Sequence, residues 1–252
     1  MKTKVYMEKE NLIAGMTLKD SAAPEENNMA LHACIDPQAI LENRGNLAAY
    51  LRCELTDFVC ANQTHSANFH KVTRSDKGRG SLENETAIPS VDALYTDEPG
   101  ILLGSFTADC VPVIFYNEVN GIIGVIHSGW QGTVKEITPR VFEHLAQIEQ
   151  SNPTDWHVQI GMALSQEKFE VDEDVYVQFQ ALGYADDFMY FHEATDKYHI
   201  NNQLTVKRQC ERAGIPANQI SIDSTCTFLS TEGFSYRQDR QAGRHLSFIM
   251  KR

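Results

Sequence analysis

The sequence contains no long apolar run. Its mean hydropathy is -0.35, and its first ten residues, MKTKVYMEKE, carry charges throughout. A membrane-spanning helix needs about 20 consecutive apolar residues, and a secretory signal peptide needs an apolar core of about 7–15 residues. The sequence therefore predicts a cytoplasmic protein with no membrane segment.

Basic residues are scarce as well. Lys and Arg number 22 against 34 Asp and Glu, which gives a net charge of -12. A surface of this sign repels nucleic acid and anionic membranes, so an anionic substrate has to be met by a local group of arginines. The 252 residues are enough to bury a full core. They can form one domain or two closely packed halves; because no repeat, low-complexity tract or long linker divides them, we favour a single domain over residues 1–252.

Disulfide spacing is missing too. The six cysteines are scattered, and free thiols of this kind suit a reducing compartment better than a disulfide framework. They lie at Cys34, Cys53, Cys60, Cys110, Cys210 and Cys226.

Three reactive side chains stand in short, distinctive stretches. His65 lies in QTHS, Cys110 in ADCVPV and His127 in HSGWQG. Two imidazoles and one thiolate form a three-ligand set for zinc that leaves a fourth position open, which is the arrangement of a catalytic site. Two other interpretations of Cys110 stay open. It could be a small buried core residue, or a nucleophile with one histidine as its base.

The chain between Cys110 and His127 predicts an antiparallel hairpin. Residues 111–117 and 122–127 are two apolar runs rich in β-branched and aromatic side chains, joined by four residues. A four-residue loop sets Pro112 opposite His127 and brings Cys110 within reach of the same ion. A two-residue turn would move the two ligands apart.

Other patterns predict the remaining elements. Four helices are predicted, at 37–52 after an Asp36 N-cap, at about 133–148, at 171–182, and at 202–213 before Gly214. The helix at about 133–148 has two candidate starts, a Thr133–Glu136 capping box and Thr138-Pro139. Further strands are predicted at 58–61, 100–106, 157–161 and 245–249. The polar segment 74–85, which contains two glycines, is predicted to be a mobile loop near the site.

Three arginines fall within eight positions near the end of this acidic chain, at Arg237, Arg240 and Arg244. One interpretation is a solvated surface loop with carboxylate partners. The other is a clamp for phosphate or carboxylate oxygens, which guanidinium groups bind in pairs.

Taken together, these stretches resemble the YfiH/YlmD family, also called the laccase-domain, polyphenol oxidase or peptidoglycan editing factor family. The matching segments cover nearly the whole chain. They are His32, Asp36-Pro37, Asn43-Arg44, Gln63–Ser66, Asp92-Ala93, Thr107–Val113, His127–Trp130, Ile160-Gly161, Phe169–Val171, Cys226-Thr227, Phe234–Arg237 and Gly243-Arg244.

The resemblance implies a mixed α/β fold, a layered α/β/β/α sandwich in which β-sheets lie between helices. It implies that His65, Cys110 and His127 bind a catalytic zinc. It also implies purine nucleoside chemistry, namely phosphorolysis of adenosine, inosine, guanosine and methylthioadenosine, with deamination of adenosine at the same site. Phosphorolysis needs bound phosphate aimed at C1′, whereas deamination needs an activated water aimed at C6 of the purine.

Residue by residue, the resemblance implies substrate roles for four further positions. Gln63 and Asp109 shape the nucleoside pocket, while Arg237 and Arg244 bind phosphate. Arg240 is a further candidate for the phosphate site by its position in the chain and not by the resemblance. The expected partners are therefore small purine nucleosides and phosphate.

The chain departs from the family pattern at several positions. The family usually has arginine where Gln131 and Gln238 stand, glycine where Arg240 stands, and Asp-Leu where Asn201-Asn202 stands. The lost arginines predict weaker phosphate binding than in a typical member. They also leave open a divergent paralogue that binds nucleosides without turnover.

Two other enzyme classes remain as alternatives. A cysteine hydrolase acting on a peptide or cell-wall precursor would use Cys110 as nucleophile and His127 as base. Copper oxidation of phenols, the older family label, needs several metal centres, which nine widely spread histidines do not obviously supply.

Overall fold

The computed structural model describes residues 1–252 as strands and helices arranged in layers. The strands are β1 (Thr3–Lys9), β2 (Leu12–Thr17), β3 (Phe58–Asn62), β4 (Phe69–Lys71), β5 (Ile88–Pro89), β6 (Ala93–Thr96), β7 (Ile101–Thr107), β8 (Val111–Asn117), β9 (Ile123–Ser128), β10 (Trp156–Ile160), β11 (Glu170–Val171), β12 (Met189–His192), β13 (Lys197–Ile200), β14 (Ile220–Ile222) and β15 (His245–Lys251). The helices are α1 (Pro37–Leu51), α2 (Trp130–Val134), α3 (Ile137–Gln147), α4 (Glu173–Gln180) and α5 (Asn202–Arg212). None of these helices combines the length and the apolar character required to cross a bilayer.

Two six-stranded mixed sheets form the centre of the fold. The first has the strand order β1-β2-β15-β7-β3-β5, and the second has the order β14-β10-β8-β9-β6-β4. A small antiparallel sheet, β11-β13-β12, stands apart from both. In the first sheet β3 runs parallel to β7, and in the second sheet β6 runs antiparallel to β9.

The two large sheets pack face to face. Val59, Leu103 and Ile249 of the first sheet share one buried cluster with Ile114 and Val125 of the second. This apolar interface is the central core, because burying both inner faces removes the largest continuous apolar surface from water.

Helices cover the two outer faces of this sandwich. Leu47 and Leu51 of α1 pack against the first sheet. On the other side, α3 and α5 pack against the second sheet, and Val141 and Val206 contribute to that cluster. The order of layers is therefore α/β/β/α, which confirms the predicted fold class.

The hairpin that leads from Cys110 to His127 is confirmed. Pro112 lies opposite His127, and the ladder ends with Val111 opposite Ser128. The side chain of Asn117 closes the four-residue loop by accepting hydrogen bonds from the two backbone N–H groups that follow Glu118. The predicted register is therefore the observed one, and Cys110 lies one residue beyond the ladder.

Of the two starts predicted for the helix at about 133–148, the Thr133–Glu136 capping box is wrong, and the start at Thr138-Pro139 is confirmed within one residue. Helix α3 begins after Glu136, whose left-handed backbone conformation, with a φ of +59°, separates α3 from α2. The Thr133 hydroxyl bonds instead to Ser128 Oγ at 2.9 Å. Pro139 lies in the first turn of α3, where its missing N–H has no helical partner to lose. The helix ends at Gln147, one residue before its predicted end, and Ile148 is 65% exposed.

The other predicted helices and strands are confirmed within a few residues. Asp36 caps α1 by accepting the N–H of Gln38 at 2.9 Å. Helix α5 ends before Gly214, whose φ is +90°. Helix α4 begins at Glu173, because Val171 is used in a strand.

Segment 74–85, predicted as a loop near the site, supplies no residue to the cavity described below. Arg44 of α1 is 1% exposed and reaches under the segment. Its guanidinium donates to the carbonyls of Gly80 at 2.7 Å and Ser81 at 2.6 Å. The buried Arg44 guanidinium therefore supplies hydrogen bonds to backbone carbonyls of this polar segment.

His245 in β15 is fully buried and bonded at both ring nitrogens. The Phe234 N–H donates to Nε2 at 2.7 Å, so Nδ1 carries the proton and donates to the Thr17 carbonyl at 2.7 Å. Burial lowers the pKa of His245 from 6.5 to about 4. The unfolded chain takes up a proton below about pH 6.5, whereas the folded chain does not until about pH 4. The contribution of His245 to stability is therefore complete above pH 6.5 and is lost as the pH falls towards 4.

We expect the free energy of unfolding to fall by about 2 kcal/mol more in the wild type than in His245→Gln between pH 7.5 and pH 5. Glutamine can donate and accept hydrogen bonds without titrating, so it is the matched comparison. Urea denaturation in the presence of a chelator measures the difference without a contribution from bound metal. Equal pH dependence in the two proteins would contradict the prediction.

Candidate active site

The three predicted metal ligands meet where the chain crosses between the two large sheets. His65 lies in the connection from β3 to β4, Cys110 lies in the turn from β7 to β8, and His127 lies near the end of β9. Their ligand atoms all lie within 4.8 Å of one another. Cys110 Sγ is 3.8 Å from His65 Nε2, and the two imidazole rings are 4.8 Å apart in an edge-on arrangement.

Unusual backbone conformations bring the ligands together. His65 has a φ of +56° and Asp109, next to Cys110, has a φ of +84°. Gly129 leaves the space that the cluster occupies, since a Cβ at this position would lie 2.7 Å from His65 Cδ2 and 2.9 Å from Cys110 Sγ. A side chain at position 129 would therefore displace two of the three ligands.

Asp92 holds the two histidines in place, and the sequence interpretation gave it no role. Its Oδ1 accepts hydrogen bonds from the His65 N–H at 3.0 Å and from His127 Nδ1 at 2.8 Å. Its Oδ2 accepts from the N–H groups of Thr64 at 3.2 Å and Ser66 at 2.7 Å. A proton on His127 Nδ1 leaves Nε2 as the free ligand atom, which is how a carboxylate behind a histidine orients a metal ligand.

The charges of the cluster depend on one another. Burial raises the pKa of the Cys110 thiol. The charge and hydrogen bond of His127 and the hydrogen bond of His65 outweigh this effect and lower the pKa to about 6. Burial lowers the pKa of His127, but Cys110 and Asp92 raise it to about 9. Although burial raises the pKa of Asp92, hydrogen bonds from His127 and Ser66 lower it to about 2. The protein therefore favours a thiolate at position 110 near neutral pH.

This donor set fits zinc. One thiolate and two imidazoles are ligands that zinc prefers, and three protein ligands leave a coordination position free. His65, Cys110 and His127 are also the one group of three or more His, Cys, Asp or Glu side chains in this chain placed to hold a metal ion.

The cluster opens into a cavity of about 760 Å³. Phe106, Trp130 and Leu164 supply apolar surface, and Glu170 and Asp174 lie among acidic residues of another wall. A cavity of this size, apolar with a few polar groups, suits a small organic ligand.

Gln63 and Asp109 line the cavity, but both use their side chains to hold the backbone. Gln63 Nε2 donates to the Phe106 carbonyl at 2.8 Å, and Gln63 Oε1 accepts the Phe106 N–H at 2.7 Å. Asp109 accepts from Thr227 Oγ1 at 2.6 Å and from the Arg237 N–H at 2.7 Å. Asp109 thus attaches the C-terminal segment to the cluster.

The structure brings two of the three predicted arginines to the cavity. Arg237 and Arg244 line it, whereas Arg240 is exposed and does not. The Arg237 guanidinium donates to the Glu170 carbonyl at 3.0 Å. The Arg244 guanidinium is partly buried and lies over the ring of Tyr236 at 5.6 Å. Arg240 therefore lies in a solvated loop, without a carboxylate partner, and the phosphate clamp stays a prediction for Arg237 and Arg244.

Gln131 and Gln238 also lie outside the cavity. Gln238 lines a separate surface groove together with Lys2 and Lys19. Neither glutamine contributes to the cavity wall where the resemblance placed phosphate.

His32 is a cavity residue that the sequence interpretation named only as part of the matching segments. Its ring is accessible inside the cavity and lies edge-on to Phe106, with ring centres 5.6 Å apart. Desolvation inside the cavity and then the charges of Arg244 and Arg44 lower the pKa of His32. The imidazole is therefore neutral near pH 7 and can donate one hydrogen bond and accept another.

Comparison with known proteins decides the family. Residues 17–252 match the family described as "Multi-copper polyphenol oxidoreductase laccase". The chain belongs to this family. It is 34% identical over 244 residues to purine nucleoside phosphorylase YlmD of Bacillus subtilis (strain 168), covering 94% of this chain and 88% of that protein.

Two further proteins extend the comparison. The chain is 32% identical over 193 residues to adenosine deaminase RL5 from an unknown prokaryotic organism, covering 76% of this chain and 73% of that protein. The crystal structure of YfiH from Bacillus licheniformis has a TM-score of 0.91 and 33% identity, covering 96% of this chain and 93% of that one. The resemblance to the YfiH/YlmD family is confirmed.

Proposed function

We propose that this protein is a zinc-dependent purine nucleoside phosphorylase of the cytoplasm that also deaminates adenosine. The observation that carries the proposal is the His65–Cys110–His127 cluster, which opens into the same cavity as Arg237 and Arg244. The names of two relatives, a purine nucleoside phosphorylase and an adenosine deaminase, support both activities. The proposed substrates are phosphate with adenosine, inosine, guanosine and methylthioadenosine.

The metal-binding cluster, Asp92 and the apolar side chains of the cavity have different roles in this proposal. His65, Cys110 and His127 hold the zinc, which supplies Lewis-acid chemistry when it is bound. Asp92 keeps the two imidazoles oriented. Phe106 and other apolar side chains of the cavity offer surface for the purine.

We assign phosphate to the two arginines that line the same cavity. The guanidinium groups of Arg237 and Arg244 attract its oxygens. His32, which is neutral and lies near Arg244, can exchange a hydrogen bond with a protonated phosphate oxygen. Phosphorolysis requires this phosphate to reach C1′, whereas deamination requires water to reach C6 of the purine.

Two nucleosides test the proposal. Purified protein should release hypoxanthine from inosine only when phosphate is present, whereas adenosine should also yield inosine without phosphate, because water is the attacking group in deamination. Chromatography of the products in matched buffers measures both reactions. Release of hypoxanthine at an equal rate without phosphate would point to hydrolysis instead, and binding with no product would identify a nucleoside-binding paralogue.

A cysteine hydrolase is the second candidate, and one observation favours it. Cys110, His127 and Asp92 form the thiolate, imidazole and carboxylate series of such enzymes, with the Cys110 pKa lowered to about 6. Metal content separates the candidates. Full zinc occupancy in Cys110→Ala together with lost peptide hydrolysis would identify Cys110 as a nucleophile.

Arg244 lines the cavity and Arg240 does not, so the two arginines are expected to differ in their effect on phosphate binding. We expect Arg244→Ala to raise the phosphate concentration for half-maximal inosine cleavage by roughly tenfold or more, because one charge-assisted hydrogen bond contributes about 1.5–3 kcal/mol. Arg240→Ala removes the same charge outside the cavity and should leave that concentration unchanged. Initial rates across a phosphate series at fixed inosine measure both variants. Equal effects of the two substitutions would show that net charge, rather than a phosphate contact, is responsible.

A further inference from the structure

Asn202, the first residue of α5, has an unused hydrogen-bond acceptor. The residue is 5% exposed and forms part of the cavity wall. Its Nδ2 donates to the Ser128 carbonyl at 3.2 Å. Its Oδ1 is buried and has no protein donor within hydrogen-bond distance. The adjacent Asn201, by contrast, uses its Oδ1 to cap α5 by accepting the Leu204 N–H at 3.0 Å.

The contact with Ser128 fixes which atom of the amide is free. Rotating the Asn202 amide by half a turn would set Oδ1 against the Ser128 carbonyl, and two acceptors do not bond. A buried acceptor without a donor costs about 1–3 kcal/mol. Such a group in a cavity wall is therefore expected to gain its partner from a ligand.

The position of Asn202 shows which part of a ligand it meets. Ser128 directly follows His127, so the Asn202 amide is held at the end of the cavity where the metal-binding cluster lies. Deamination takes place at C6 of the purine, and this edge of the base must therefore approach the cluster. The groups at this edge that can donate are the 6-amino group of adenosine and the N1–H of inosine.

We propose that Asn202 is a specificity-determining residue whose Oδ1 accepts a hydrogen bond from an N–H group at the C6 edge of the purine. The proposal rests on the proposed function, because it needs a purine nucleoside in the cavity. The side chain would select bases that carry a donor at this edge, since a base without one leaves Oδ1 buried and unpaired.

Two nucleosides of similar shape test the contact. Adenosine carries an amino group at C6, and 6-methylpurine riboside carries a methyl group that cannot donate. We expect the wild type to prefer adenosine by about tenfold in kcat/KM for phosphate-dependent base release. Asn202→Leu, which removes the acceptor at similar volume, should reduce the ratio of the two kcat/KM values to near one.

Gln209 provides a matched control on the same helix. It is also buried, its Nε2 donates to the Thr133 carbonyl at 2.8 Å, and its Oε1 also has no partner. Gln209 does not line the cavity. Gln209→Leu should therefore keep the tenfold preference even if it lowers stability.

The outcomes separate this inference from the proposed function. An unchanged preference in Asn202→Leu, or an equal loss in Gln209→Leu, would overturn the role of Asn202 while base release by the wild type still supports a phosphorylase. If the wild type cleaves neither nucleoside, the phosphorylase proposal fails, and the thermal shift caused by each nucleoside then tests the contact without turnover. In that measurement, equal shifts by adenosine and 6-methylpurine riboside in the wild type would overturn the inference.

Discussion

Cys110→Ala is expected to purify with little zinc and to lose phosphorolysis and deamination together, by on the order of 10³-fold or more. The wild type should carry about one zinc per chain. Removing the thiolate leaves two imidazoles, which is too few protein ligands for a stable catalytic zinc site. A bound metal contributes several kcal/mol to the transition state, and each 1.36 kcal/mol corresponds to a factor of ten in rate.

Metal analysis of the purified protein and initial rates with inosine and adenosine measure the effect of Cys110→Ala. Cys34→Ala is the control, because Cys34 is a partly exposed thiol that does not line the cavity. This control should keep both zinc and activity. Loss of only one of the two activities in Cys110→Ala would show that they do not share the cluster.

Asp92→Asn is expected to weaken zinc binding by about 10–100-fold while the three ligands remain in the chain. The carboxylate accepts from His127 Nδ1 and from three successive backbone N–H groups, at 64, 65 and 66. An asparagine can keep one oxygen towards these donors, but its NH₂ group would face the others. The His65 loop and the His127 ring would therefore lose their common anchor.

Competition with a chelator of known affinity measures zinc binding in Asp92→Asn. Asp223→Asn serves as the control, since Asp223 is also a largely buried carboxylate and accepts from Tyr6 at 2.9 Å, but it does not line the cavity. It should lose stability without losing zinc affinity. Unchanged zinc affinity in Asp92→Asn would mean that the protein scaffold alone orients the histidines.

The hairpin and the meeting of the three candidate ligands could be predicted from sequence because their signals are local. Apolar runs on both sides of a short loop fix a register, and that register sets Pro112 opposite His127. The start of α3 could not be predicted in the same way. A strong local capping pattern at Thr133 was overridden by a contact with Ser128, which belongs to a neighbouring strand.

Asp92 and His32 show the limit of sequence reasoning about the site. Each acts through partners far along the chain, Asp92 on His127 and His32 beside Arg244. Periodicity and capping patterns carry no information on such contacts. Arg240 is the opposite case, a residue that sequence spacing wrongly groups with a site. It lies three positions from Arg237, but the path of the backbone places it outside the cavity.

The positions of the ligands along the chain have a consequence for folding. His65 and Cys110 lie on two separate crossings from the first large sheet to the second, and His127 belongs to the second sheet itself. The complete ligand set therefore exists only in the folded chain. A metal ion held there would close two loops at once and favour the folded state over the unfolded one by mass action. Removal of the ion by a chelator would then lower the free energy of unfolding.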